Sequence, residues 1–295
     1  MILQLLLPLF VLSALGTILV KSGWLKPSAQ AGLGEFTGRV LIPALLFQGT
    51  YQNGLPGAQS WSLLLAFYLP LALVFALFAF SGARDADRAS RALAASYGNA
   101  AFVGIPVIQQ VLGQDALHFA FPIIAFHGLV AFTLYYSRAH AGGRLRDAVL
   151  AAVRNPIVVS LMAGLACNLT GLKLPAVVMQ GVATLAQATM PCALVALGAA
   201  LAGFHLGHAA VALRITVAKL GLLPLLVWAL TTYVVPLAPE ARLVLILIAA
   251  CPVGINAGVV VSANRADTAA VNAATLLSSL GACLTIPAWL ALAMH

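Results

Sequence analysis

The chain alternates long apolar runs with short polar connections. A helix needs about 20 apolar residues to cross the hydrocarbon of a bilayer. Ten runs come near that length, at about residues 2–20, 36–52, 61–82, 92–112, 117–137, 155–171, 178–202, 212–235, 241–262 and 270–293. Apolar residues within each run are continuous rather than alternating, which predicts membrane helices and not the strands of a barrel. The run from Met1 to Val20 is read as the first of these helices rather than a leader. No basic stretch precedes it and no small-residue cleavage site follows. The longest polar connection falls between the fifth and sixth runs, where residues 138–154 hold Gly142, Gly143 and four arginines. It divides the chain into a first five-helix unit, 1–137, a cytoplasmic linker loop, 138–154, and a second five-helix unit, 155–295.

Composition strengthens the membrane reading. Hydrophobic residues make up 62% of the chain and charged residues only 7%. A soluble domain carries about 25% charged residues, so there is too little polar surface here to cover a water-facing globule. The formal net charge of +8 would raise nucleic acid as a partner in a soluble protein. Here the basic residues lie in short connections, where they set orientation, so no nucleic-acid partner is expected. With the N-terminus outside, Lys21, Lys26, Arg39, Arg84, Arg88, Arg91, Arg138, Arg144, Arg146, Arg154, Arg214, Lys219 and Arg265 collect at the inner side, 13 of the 15 basic residues. Only Lys173 and Arg242 fall outside. The expected setting is the cell (inner) membrane, multi-pass, with both termini on the outer side. Cys167, Cys192, Cys251 and Cys283 lie inside apolar runs with no C-x-x-C spacing, so they read as small apolar filler. No metal or cofactor is expected from them.

The two units resemble each other. Moving the sequence by 148 residues places Pro8 on Pro156, Gly16 on Gly164, Gly23 on Gly171, Pro27 on Pro175 and Pro43 on Pro191. Small gaps extend the match, so that Leu69-Pro70-Leu71 pairs with Leu223-Pro224-Leu225 and Val103-Gly104-Ile105-Pro106 with Val253-Gly254-Ile255-Asn256. Each unit holds an odd number of helices, so the second enters the membrane from the opposite side. That is a 5+5 inverted repeat, a plan shared by many secondary transporters.

Helices four and nine correspond in this repeat. The fourth reads Ser96-Tyr97-Gly98-Asn99-Ala100-Ala101-Phe102-Val103-Gly104-Ile105-Pro106, and the ninth Ala250-Cys251-Pro252-Val253-Gly254-Ile255-Asn256-Ala257-Gly258. Proline removes an N–H and clashes one turn back, and glycine eases unwinding. Together they predict a helix broken at mid-membrane, or else a kinked packing helix with asparagines bonding between helices. A break at that depth must be buried in protein or line a wet cavity. Half-helix N-termini there would offer N–H donors and a positive dipole end to an anion. Asn99 and Asn256 would add uncharged donors and acceptors.

These two runs resemble the crossover helices of the auxin efflux carrier family. Arg154-Asn155-Pro156 and Met190-Pro191 with Leu197-Gly198 are similar to that family too, and the resemblance covers essentially the whole chain. It lies nearest the short bacterial members described as malonate-carrier-like. The resemblance implies an all-α integral membrane protein of ten transmembrane helices, with a fold like sodium/proton antiporters and bile-acid symporters. In that fold a scaffold domain carries a transport domain whose broken fourth and ninth helices cross. It also implies elevator-type movement of small organic anions, malonate-like dicarboxylates or auxin-like carboxylates. By motif, Asn99, Gly104 and Pro106 sit at the first crossover and Gly254 and Asn256 at the second. Plant members carry a proline where this chain has Ala257, which moves the second break toward Pro252 and Gly254.

The acidic residues Glu35, Asp85, Asp87, Asp115, Asp147, Glu240 and Asp267 all read as loop or helix-end positions. Proton and sodium carriers commonly keep a carboxylate within the membrane. Ion coupling here would need Asn, Ser, Thr, His or backbone oxygens. His127, midway along helix five, lines the cavity or bonds neutrally to a neighbouring helix. Tyr97 is a further cavity candidate, as are Gln48, Gln109 and Gln187. Lys219 reads as a lysine snorkelling toward the inner end of helix eight, or as an attractor of anions. A sodium- or proton-coupled symporter of larger amphipathic anions is the alternative reading. No H-E-x-x-H, Gly-x-Ser-x-Gly or intramembrane aspartate pair is present, so the chain is not expected to be an enzyme. The expected partners are a small organic anion and the lipid bilayer. Broad apolar helix faces suit a homodimer as well as they suit lipid.

Overall fold

The computed structural model describes residues 2–54, 57, 59–80, 86–139, 154–205, 208–264 and 266–294. Most of the linker predicted at 138–154, residues 140–153, lies outside them. Among the described residues the ordered structure is helical, apart from one isolated antiparallel bridge between Gly98 and Val253. In chain order the helices are α1 (Ile2–Lys21), α2 (Pro27–Phe36), α3 (Ile42–Asn53), α4 (Gln59–Ala79), α5 (Ala86–Ser96), α6 (Ile105–Leu112) and α7 (Leu117–Ala139). They continue with α8 (Pro156–Thr170), α9 (Ala176–Leu201), α10 (Ala209–Val217), α11 (Leu223–Tyr233), α12 (Pro239–Ala250), α13 (Ile255–Ala263) and α14 (Ala269–Ala293). Five stretches are long and apolar enough to cross a membrane: Trp61–Ala79, Leu117–Ala139, Ala176–Leu201, Ala209–Tyr233 and Ala269–Ala293. The chain is thus a multi-pass membrane protein.

Three helical rods are not uniform along their length. Thr37–Leu41 joins α2 to α3 as a π-helical turn, Ala100–Gly104 leads into α6, and Ala218–Leu222 joins α10 to α11. Each is followed by one residue and then a proline, at Pro43, Pro106 and Pro224. The proline ring presses on the carbonyl four residues back and offers no N–H to it. Widening the preceding turn relieves that contact without ending the helix. At Pro224 the carbonyl left without its helical donor is that of Leu220, and the Trp289 indole donates to it at 2.8 Å. Pro8, Pro70, Pro122, Pro191 and Pro287 instead sit within α-helices.

Two seams of closely packed backbone hold the helices that flank the core. On α1, a Cβ at Gly16 would meet the Val195 carbonyl of α9, and one at Gly198 would meet the Ser13 carbonyl. The Thr17 hydroxyl donates to the Gly198 carbonyl across the same seam at 2.8 Å. On α8, a Cβ at Gly164 would lie 2.5 Å from the Phe47 carbonyl oxygen of α3, and the Thr50 hydroxyl reaches the Leu161 carbonyl at 3.1 Å. Lipid gives apolar helices no hydrophobic reason to associate, so close backbone approach through small residues supplies the attraction. The seams share one arithmetic. Adding 148 to Gly16 and Phe47 gives Gly164 and Val195, and adding it to Ser13 and Thr50 gives Leu161 and Gly198. Between them the Thr189 hydroxyl donates to the Leu41 carbonyl, 148 residues away, at 3.0 Å.

Candidate functional site

Helical hydrogen bonding stops at two places in the interior. After α5 it lapses over Tyr97, Gly98 and Asn99, and after α12 over Cys251, Pro252, Val253 and Gly254. Pro252 explains the second stop. It cannot donate to Ile248, and it forces Cys251 into an extended conformation at φ −59° and ψ 147°. The two interrupted segments then satisfy each other. Asn99 N–H donates to the Pro252 carbonyl at 2.8 Å, and Gly254 N–H donates to the Tyr97 carbonyl at 3.0 Å. The Val253 N–H goes to the Ser278 hydroxyl of α14 at 3.0 Å. Unwound backbone is therefore paired chain to chain where water could not serve it.

Both contact points are close, and at Gly254 only glycine fits without a shift. A side chain on Gly254 would run into the Tyr97 ring, 2.6 Å from Cδ1. One on Gly98 would press on the Lys219 ammonium at 3.1 Å. Tyr97 has little freedom to yield, because its ring stacks on His127 at 4.6 Å between centroids and leans on Phe132 at 5.1 Å.

A cavity of about 490 Å³ opens beside this crossing. It is lined by Tyr97, Asn99, His127, Gly254 and Asn256, together with Phe132. Five of the seven residues singled out from the sequence thus meet around one space. Gly104 and Pro106 do not reach it. Gly104 packs against α12, where an added Cβ would lie 3.3 Å from the Cys251 sulfur. Pro106 is buried in the first turn of α6. Glu35 and Arg39 line the cavity as well, exposed and paired with each other at 3.2 Å.

The polar groups at the cavity are oriented by structure that the sequence does not reveal. Asn99 caps the π-helical turn, its Oδ1 accepting from the Phe102 N–H at 3.3 Å. That bond points the amide the other way, and Asn99 Nδ2 is buried with no hydrogen-bond partner. His127 Nε2 lies 3.1 Å from both the N–H and the carbonyl of Gly98, so the tautomer decides which bond forms. In either case Nδ1 is buried and unpartnered. Asn256 is exposed to the cavity and interacts with the Tyr97 hydroxyl. The first residues of two helical segments, Ala100 to Phe102 and Ile255 to Asn256, also line the space. Their N-terminal ends carry partial positive charge.

Three contributors were missed or misplaced by sequence reasoning. Ser278 looks like an ordinary small residue of an apolar helix. Phe132 carries no signal beyond its aromaticity. Lys219, read as snorkelling toward the inner end of its helix or as attracting anions, is fully buried, and its ammonium donates to the Ala249 and Cys251 carbonyls at 2.6 and 2.7 Å. The available sign was its place in an unbroken apolar run five residues before Pro224.

A family model described as "Membrane transport protein" matches residues 1–140 and 144–290. A Rhizobium meliloti (strain 1021) protein described as "Putative malonate transporter" is 27% identical over 211 residues. The match covers 67% of this chain and 66% of that relative, just under two thirds of its length. Almost the whole chain is matched by the family, and it therefore belongs to these membrane transport proteins, the family of the auxin efflux carriers.

Proposed function

We propose that this transporter is a secondary carrier of small organic anions, with the substrate carboxylate received at the crossing of the two interrupted segments. The observation that carries the reading is the Asn99 amide. A buried donor without a partner costs about 1–3 kcal/mol, and a carboxylate oxygen arriving in the cavity would satisfy it. Two helical N-termini and the uncharged amides of Asn99 and Asn256 favour an anion, and Glu35 at the cavity is already paired with Arg39. A malonate-sized dicarboxylate suits the space, in line with the malonate named in the description of the Rhizobium relative.

The remaining architecture follows in the same reading. Ten membrane crossings form two inverted copies of five helices, and the exchange of seam contacts under a shift of 148 residues supports this. The fourth and ninth crossings are the interrupted rods, α5 with α6 and α12 with α13. The basic connections favour both termini on the outer side of the cell membrane. Arg39 and Asn155, at the mouth of the cavity, then face inward, so this is an inward-open arrangement. Elevator movement would carry the crossing past the helices joined by the two seams.

Uptake of labelled malonate into proteoliposomes tests the site. Asn99→Ala is expected to reduce uptake at least about tenfold, the equivalent of one lost charge-assisted hydrogen bond, with the melting temperature kept. Undiminished uptake by that variant would remove Asn99 from the site. Uptake of a bile-acid-like anion in place of malonate would support a carrier of larger amphipathic solutes.

A further inference from the structure

The carrier reading leaves Lys219, which lies against the crossing, unexplained. It sits in the π-helical turn Ala218–Leu222 and has no exposed surface. A buried lysine ordinarily pairs with a carboxylate. Among the described residues no carboxylate pairs with this one, and the ion pairs Arg39–Glu35 and His208–Asp267 are exposed and elsewhere. Its partners are instead backbone oxygens, those of Ala249 and Cys251.

Those oxygens belong to a helix that ends inside the protein. The last carbonyls of a helix lack donors and carry the negative end of its dipole. At α12 other groups take part of this load: the Cys251 N–H serves the Ile248 carbonyl, and the Cys251 thiol that of Leu247. The ammonium serves two more, those of Ala249 and Cys251. In carriers built on broken helices, half-helix C-termini and unwound carbonyls are where a coupling cation binds. Here a cation is already in that position and is covalently part of the chain. At the matching end of α5, the Ser96 hydroxyl and the Tyr97 N–H serve the Ala92 and Leu93 carbonyls.

We propose that the Lys219 ammonium is a tethered cation standing where a free alkali cation would otherwise bind, so that the carrier works without sodium. The inference rests on the carrier reading above, and it adds the source of positive charge at the site. The ammonium lies against Gly98, next to Asn99, so it also attracts the anion whose carboxylate that amide receives. Because the charge travels with the crossing, each loaded transit carries one negative charge fewer than the substrate bears.

The test uses the purified full-length chain, with melting measured in choline, sodium or methylammonium chloride and malonate uptake in matched proteoliposomes. The wild type is expected to melt and transport alike in sodium and in choline. Lys219→Ala leaves an ammonium-sized void. It should melt several degrees lower, lose uptake about tenfold or more, and regain stability with methylammonium or sodium but not with tetramethylammonium. Lys219→Met, which fills the void without charge, should be impaired and not rescued. Sodium-dependent stabilisation or uptake in the wild type would overturn the proposal. So would wild-type behaviour of Lys219→Met, or no cation response in Lys219→Ala. If neither variant can be purified, the wild-type sodium comparison still decides. If the wild type moves no organic anion, the carrier reading fails, while the melting series judges Lys219 separately.

Discussion

Replacing Gly254 by valine is expected to abolish transport while the chain still inserts and purifies. The added Cβ enters the Tyr97 ring and lies 3.1 Å from the Gly98 carbonyl oxygen. The ring is held from behind by His127 and Phe132, so the strain falls on the crossing itself. Overpacking of this kind costs about 1–3 kcal/mol and sometimes more. The bond from Gly254 N–H to the Tyr97 carbonyl and its partner from Asn99 to Pro252 would be the first to open. With them goes the orientation of Asn99, which depends on the turn that follows. Uptake should fall to background, with a melting temperature several degrees below wild type. Tyr97→Ala in the same chain relieves the clash and should recover much of the stability. A Gly254→Val protein that transports normally would show that the two segments can separate without consequence.

Gly198→Val should act on assembly instead. The new Cβ collides with the Ser13 carbonyl, 2.6 Å from its carbon and 3.0 Å from the Ser13 Cα. These are backbone atoms on both sides, so no rotamer change relieves the contact. α1 and α9 must move apart, and the Thr17 bond to the Gly198 carbonyl is lost with the van der Waals contact along the seam. The expected result is a sharp loss of folded protein in detergent, visible as aggregation in size-exclusion chromatography. Gly181→Val is the control on the same helix, because a Cβ there meets nothing within 4 Å. Equal yields from the two variants would mean that the seam does not hold the helices.

Much of this arrangement can be read from the sequence, for physical reasons that differ from part to part. Gly98 with Asn99 and Pro252 with Gly254 fall where helical bonding lapses, because backbone without donors or with freedom to unwind is a local property. What a proline does next is not local. Pro106 and Pro224 look alike in sequence to Pro252, yet they lead to widened turns rather than a stop. The outcome depends on who serves the freed carbonyl, and for Leu220 the donor is Trp289, 69 residues on. His127 was legible as a polar group at depth, but its bond to Gly98 was not, since that pairing needs α7 packed against α5. Asn256 stood out in the sequence as a polar group beside a break, and it lines the cavity from an exposed position. Lys219 was legible as a cation within a membrane helix, but its burial against the end of α12 was not. Helical periodicity gives the azimuth of a residue only while the turn keeps its usual pitch, and Lys219 sits where it does not.

The widened turns also bear on where this chain can change length. A π-helical turn holds one residue more than the α-helix needs to connect the same two flanks. Removing one residue from Ala218–Leu222 lets the rod close into regular α-helix with α10 and α11 left in their places. The same deletion elsewhere in the rod would rotate everything beyond it by about 100° and turn packed faces toward lipid. Single-residue gaps between members of this family therefore belong at the three turns before Pro43, Pro106 and Pro224. A member shortened at the third would keep the rod but present whatever stands for Lys219 in another direction.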